Sequence, residues 1–209
     1  MDNTRTPVLY IVGNYNIDLV MGTLTHWPAQ GTEMMLEHSA LRPGGSAGNC
    51  ALAAAAMQLP HCTVGCQGDD AFTPWLAAQF PGGSARWPQY PCETSLTVAI
   101  THPNKERSFL SNRGHITRLT AGDVLSQLPA AAGEGDIVLL CGTFLCTGLL
   151  SDYPQLLATL RQRGFTLAVD TGWPPQGWSD PLRHEVDRWL GDCDWLLLND
   201  VETLQLAGH

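Results

Sequence analysis

The chain is poor in positive charge. Its 209 residues hold 11 Lys and Arg against 20 Asp and Glu, a formal net charge of -9. A surface of that sign repels phosphate backbones and anionic bilayers, so neither nucleic acid nor a membrane is an expected partner. Long hydrophobic runs are missing as well. The longest apolar stretch, IVLLCGTFLCTGLL, is broken by glycine and threonine and falls short of a bilayer span. The amino terminus has no basic-then-apolar leader, and a cytoplasmic location is expected. The seven cysteines, at positions 50, 62, 66, 92, 141, 146 and 193, are odd in number and contain no C-x-x-C pair. That pattern indicates neither a disulfide framework nor a zinc site, and the thiols read as reduced, mostly buried small apolar groups. The histidines at 26, 38, 61, 102, 115, 184 and 209 show no ligand spacing and are assigned no chemistry. Internal repeats and low-complexity tracts are also missing.

What the chain does have is alternation. With 44% hydrophobic residues it can bury a substantial core. VLYIVG at 8–13 is a continuous apolar run before a glycine, the signature of a strand buried on both faces of a parallel sheet. CTVGCQG (62–68), DIVLLCG (136–142), FTLAVDTG (165–172) and DWLLLND (194–200) repeat the layout. Between them, spaced apolar residues predict helices at about 49–59, 70–80, 121–128, 151–163 and 181–190. The result is an α/β fold with helices on both faces of a mostly parallel sheet, whose ligand edge is the one carrying Gly13, Gly68, Gly142, Asp170 and Asn199. Two segments, 22–41 and 94–112, break the pattern. They read as short strands joined by turns, the second a hairpin around HPNKE, which could pair as a small separate sheet.

The segment RPGGSAGNCALAAAAMQLP (42–60) sets a glycine cluster directly against an alanine-rich helix stopped by Pro60. Glycines let a backbone approach a bound molecule, and the first amides of a helix are unpaired donors at the positive end of its dipole. Just past the first strand, Asn16 and Asp18 offer an amide and a carboxylate to a polyol, or form an ordinary turn or cap. Asn49 either reaches a ligand or caps the alanine helix. Asp69 and Asp70, after a glycine at a strand end, read as caps of the next helix. Asn199 and Glu202 near the carboxyl end read, taken alone, as a solvated helix start. Asp170 ends a buried strand, where it could face phosphates or bind loop amides. Arg107 and Arg113 on the hairpin read as solvated surface.

In this order, GNYNID, RPGGSAGN, VGCQGDDAF, a hairpin ending in ERSFLSNRG, and LLLNDVE with its N-x-x-E resemble the ribokinase-like (PfkB-type) family of small-molecule kinases along nearly the whole chain. The resemblance implies a three-layer α/β sandwich with a small β lid, residues 22–41 and 94–112, over a sugar site. It implies ATP-dependent phosphorylation of a sugar or polyol hydroxyl. Asn16, Asp18, Gly44, Gly45 and Asn49 would hold the sugar. Asn199 and Glu202 would organise ATP and Mg²⁺, Glu202 acting on the metal mostly through water. A homodimer through the lid is a further implication. Members of that family continue past N-x-x-E to a glycine-rich anion hole and a catalytic aspartate in G-A-G-D, a motif these 209 residues lack. The expectation is therefore an amino-terminal part of such a kinase, 1–209, without its catalytic base. The alternative is a non-catalytic sugar-binding or regulatory protein on the same fold. A dinucleotide oxidoreductase is disfavoured, because GNYNID stands where G-x-G-x-x-G is required.

Overall fold

The computed structural model describes residues 5–208; His209, given no chemistry above, lies outside the described residues. The main sheet is wholly parallel. Its strands are β1 (Leu9–Gly13), β4 (His61–Val64), β7 (Ile137–Cys141), β8 (Thr166–Asp170) and β9 (Trp195–Leu196), in the order β4-β1-β7-β8-β9. The second sheet contains β2 (Asn16–Gly22), β3 (His38–Gly44), β5 (Leu96–Thr101) and β6 (Arg107–Ser111), in the order β3-β2-β5-β6, with β2 parallel to β5 and the outer pairs antiparallel. The α/β sandwich with a small accessory sheet expected from the sequence is borne out.

Side-chain alternation along the parallel strands splits the core into two layers. Tyr10, Val12, Val138, Leu140, Leu167 and Val169 point to one face. There they meet α3 (Ala121–Gln127), α5 (Tyr153–Gln162) and α6 (Asp180–Leu190), through residues such as Val124, Leu157 and Trp189. The intervening residues Ile11, Leu139, Cys141 and Ala168 face α1 (Ser46–Ala56) and α2 (Thr73–Gln79), through Ala47, Ala51, Ala54 and Leu76. Two short helices complete the chain, α4 (Thr147–Leu150) and α7 (Asp200–Leu206). Among the described residues, no helix is long and apolar enough to cross a membrane.

The alanines of α1 are the reason it lies so close to the sheet. A Cβ built on Gly13 would stand 3.3 Å from the Ala47 methyl and 2.2 Å from the Cys141 carbonyl oxygen. Gly13 is thus the point at which strand end and helix start can meet.

Several boundaries differ from the expectation. The helix predicted at 49–59 begins at Ser46, because Gly45 takes φ +85° and turns the chain into it, and it ends at Ala56, before Gln58 at φ +56°. Asn49 is therefore not its cap. In the small sheet, residues 94–112 contain β5 and β6. The strands near 22–41 lie instead at its flanks, as β2 and β3, with residues 23–37 forming the link between them. The reason is that β2 opens with alternating polar and apolar residues, Asn16, Ile17, Asp18 and Leu19, soon after the turn at Gly13, with Ile17 fully buried.

Candidate functional site

Strand β2 carries Asn14, Asn16 and Asp18 at or just before its start, spaced by two and so on one face. They form a hydrogen-bonded series. The Asn14 amide nitrogen donates to Asn16 Oδ1 at 3.3 Å, and Asn16 Nδ2 donates to Asp18 Oδ1 at 2.8 Å. Burial pushes the Asp18 carboxyl upward, while the Asn16 amide and the more distant Arg107 guanidinium act against that shift. Among the described residues, Asp18 Oδ2 receives no hydrogen bond, and it remains free to accept from a ligand.

The glycine loop is shaped around this series. Asn16 pairs with Gly44 and Asp18 with Arg42 across β2 and β3. A Cβ on Gly44 would lie 2.2 Å from Asp18 Oδ2 and 2.5 Å from Oδ1. A Cβ on Gly45 would lie 2.4 Å from Asn16 Oδ1 and 2.3 Å from the Asn14 carbonyl oxygen. Each glycine therefore leaves the volume that one of these polar groups occupies. Gly45 is also the residue before α1, whose start has no side-chain cap. Asn49, in the next turn, is exposed. The structure thus brings Asn16, Asp18, Gly44 and Gly45 together, with Asn49 one turn beyond.

The same sheet edge continues to a second group. Asp170 ends β8 and accepts from the Gly172 amide at 3.1 Å. Burial raises its carboxyl most, and the nearby Glu202 charge raises it further. Glu202 and Asn199 form a reciprocal cap at the start of α7. The Glu202 amide donates to Asn199 Oδ1 at 2.8 Å, and the Asn199 amide donates to Glu202 Oε2 at 3.1 Å. The helix-start reading weighed from the sequence thus has a geometric basis. Glu202 is nevertheless buried and within electrostatic reach of Asp170, and two carboxylates sharing a pocket of charge suit a hard cation. Among the described residues no three His, Cys, Asp or Glu cluster as metal ligands. A divalent cation here would keep most of its waters, as Mg²⁺ does. To that extent the donor set fits Mg·ATP. Surface depressions of about 440 Å³ beside Met21 and Met34 and about 510 Å³ beside Tyr10 and Arg86 both lie away from this edge.

Other candidates are structural. Asp70 accepts from the Phe72 and Thr73 amides and from both the amide and hydroxyl of Thr94, tying the start of α2 to β5. Asp69 accepts from Gln89 at 3.1 Å on the surface.

Two residues were missed. Asn14 is one, although the alternation of Asn14, Asn16 and Asp18 in an otherwise apolar run is a visible signal of a shared face. Its Oδ1 is buried without a hydrogen-bond partner among the described residues. His115 is the other. Fully buried, it accepts the Ser95 amide proton at Nδ1 (2.9 Å), so Nε2 carries the hydrogen donated to the Tyr15 carbonyl at 3.0 Å. Burial lowers its pKa to about 4, which keeps the ring neutral. Nothing in ITRL or RGH marks that role; it exists only once Tyr15 and Ser95 are brought together.

Comparison with solved structures agrees with the architecture. A ribokinase from Arabidopsis thaliana complexed with ribose and ATP is 19% identical, with TM-score 0.72 over 98% of this chain and 64% of that one. A fructokinase from Xylella fastidiosa is 18% identical, with TM-score 0.75 over 97% and 65%. A nucleoside kinase from Burkholderia thailandensis in complex with inosine is 17% identical, with TM-score 0.69 over 96% and 63%. The chain therefore spans about 64% of the length of such structures. A search of curated proteins gives no match. Residues 8–209 match the family described as pfkB family carbohydrate kinase, so the chain with this sheet edge and this glycine loop belongs to that family.

Proposed function

We propose that the complete protein transfers a phosphoryl group from ATP to a hydroxyl of a sugar or related polyol, and that these 209 residues supply its sugar-holding side. The observation that carries this reading is the fit of Gly44 and Gly45 to Asp18 and Asn16. The loop has no side chains where the acceptors stand, and the acceptors keep unused lone pairs. Asp18 Oδ2 would accept two hydroxyl protons, the second Nδ2 hydrogen of Asn16 would donate to a ring or hydroxyl oxygen, and Asn49 would close the far side. Asn199, Glu202 and Asp170 would hold the hydrated Mg²⁺ of Mg·ATP, whose charge offsets that of the phosphates. Positioning of this kind contributes only when a base takes the hydroxyl proton, and no G-A-G-D segment is present in the 209 residues. This chain by itself is read as binding the sugar without turning it over.

The lid sheet supports a homodimer. Trp27, Phe109 and Leu110 are 59%, 62% and 54% exposed, Phe109 and Leu110 on opposite faces of the edge strand β6, and such open apolar surface marks an interface. Leu24 and Ile100, from the same segments, are buried. The seven free thiols suit a reducing, cytoplasmic compartment.

Calorimetry with ribose, fructose, a nucleoside and a ketodeoxy acid, with and without ATP and Mg²⁺, tests the reading. Saturable heat for one class, with affinity clearly weakened in Asp18→Asn, is expected. Heat unchanged by that substitution would overturn the site. The intact sugar side also leaves room for a protein that binds without transferring; the longest reading frame containing this segment, assayed for sugar-dependent ATP consumption, separates the two.

A further inference from the structure

The register of the small sheet decides which of its residues share a face. Asp18 pairs with Arg42 on β3 and with Thr97 on β5, and Thr97 pairs with Ser111 on β6. A hydrogen bond of 2.8 Å between the Thr97 and Ser111 hydroxyls shows that such partners point the same way. Four residues further along, the same face carries Thr101 paired with Arg107. Every Asp, Glu, Lys and Arg of the four strands therefore lies on one face: Asp18, Arg42 and Arg107. The opposite face, with Ile17, Leu19, Leu41, Val98 and Leu110, carries none.

The two guanidiniums are uncommitted. With 11 cations against 20 acidic residues, unspent positive charge is scarce in this chain, and Arg5, Arg161, Arg183 and Arg188 each meet a carboxylate. Arg42 and Arg107 are exposed, and among the described residues their side chains make neither an ion pair nor a hydrogen bond, although Arg42 stands directly across from Asp18. Taking Asp18 as a sugar contact, we propose that the substrate carries an oxyanion, a carboxylate or a phosphate ester, which Arg107 and Arg42 bind while Asp18 holds hydroxyls at its other end.

The spacing suits a ligand of that kind. Arg107 lies four residues along β6 from the level of Asp18 and two strands across, roughly 16 Å between Cα atoms at about 3.3 Å per residue and 4.8 Å per strand. Their side chains shorten that distance without closing it, and a six-carbon chain with charge at one end and hydroxyls along the rest fits the gap. Arg107 is still near enough to act on the Asp18 charge. A guanidinium serves either oxyanion, because its planar fork donates two parallel hydrogen bonds to a carboxylate or a phosphate. A net charge of -9 repels an anionic substrate from most of the surface, so two free cations on the ligand-facing side of the lid mark the place where one is admitted.

Calorimetry on the full chain compares gluconate with glucitol, and fructose 6-phosphate with fructose, pairs that differ only by the anionic group at one end. In at least one pair the anion should bind roughly tenfold or more tightly than its neutral parent, the margin of a hydrogen bond to a charged group, and added salt should narrow the difference. The pair that responds tells carboxylate from phosphate. Arg42→Gln with Arg107→Gln should bring the anion to within about twofold of its parent, and leave the affinities for the parent and for Mg·ATP unchanged. Parents bound as tightly as both anions, or a preference indifferent to the double substitution, overturn the proposal; parent binding that still depends on Asp18 then leaves the sugar site standing. Loss of ATP binding in the double variant also overturns it, by assigning the arginines to the nucleotide. Anion binding that needs the arginines and ignores Asp18→Asn removes the sugar site instead, and heat from none of the four ligands removes both.

Discussion

At Gly44 the carboxylate of Asp18 occupies the place of a side chain, and a single methyl group decides whether both can stay. Gly44→Ala would set its Cβ 2.2 Å from Asp18 Oδ2, closer than any real contact, with no backbone strain of its own because Gly44 is not in the left-handed region. The carboxylate must swing away, and the expected outcome is loss of sugar binding by calorimetry with far-UV circular dichroism unchanged. Asp18→Asn keeps the shape and removes an acceptor. It should weaken polyol binding by about 1.5–3 kcal/mol, the range for hydrogen bonds to charged groups; affinity within twofold of the native protein would take Asp18 out of the site. Asn16, Asp18, Gly44 and Gly45 were singled out through the family resemblance, since by type alone they read equally well as turn or cap residues, and the fold brings them together. Asn14 shares their alternation and was readable but overlooked, whereas His115 was not readable, since its role comes from Tyr15 and Ser95, brought to it by the fold.

The parallel strands were readable as elements because burial on both faces leaves an uninterrupted apolar run, and β1, β7 and β8 lie within a residue or two of their expected ends. The lid strands β2 and β3 were displaced because a strand with one exposed face carries polar residues that look like turn formers. Asn16 and Asp18 are the case in point. His115 joins the β1–β2 turn to the start of β5, and its protonation should loosen that joint. The folded value of about 4 lies below the ordinary 6.5, so the unfolded chain binds more protons between the two. Stability contributed by neutral His115 is then complete above pH 6.5 and is lost as pH falls toward 4, about 3 kcal/mol in all. Asp70 and Asp136, both lowered, lose their contributions only below the ordinary carboxylate value of 3.8. Asp18 and Asp170, both raised, slope the opposite way, so comparison with His115→Asn isolates the histidine. Urea midpoints measured from pH 7 to pH 4 should fall steeply in the native protein and less in the variant; parallel curves would count against the joint.

Among the described residues, large apolar side chains are exposed around α1 (Leu52, Met57, Leu59), at the lid, and at the β9 edge, where Trp195, Leu197, Val201 and Leu204 on and between β9 and α7 are each about half exposed. Surfaces of this kind associate. Light scattering should show concentration-dependent association, with Phe109→Glu with Leu110→Glu removing a discrete dimer and Trp195→Glu with Leu204→Glu removing larger species. A monomer at micromolar concentration, or species indifferent to all four charges, would refute both assignments. Sugar-dependent ATP turnover by a preparation of verified 209-residue mass would equally show that the base need not come from outside these residues.

Strand β2 belongs to the lid sheet along its full length and carries the proposed sugar contacts on its first three residues. Its seven residues span roughly 20 Å at about 3.3 Å each. A rod of that length pivoting near Asn16 carries Gly22 roughly 3–4 Å for every 10° of tilt. On the proposed reading the sugar and the lid would share a lever. A hydroxyl that drew Asp18 by a fraction of an ångström would be read out, magnified, at the far rim, and two lids clasped face to face would pass that displacement from one copy to the other.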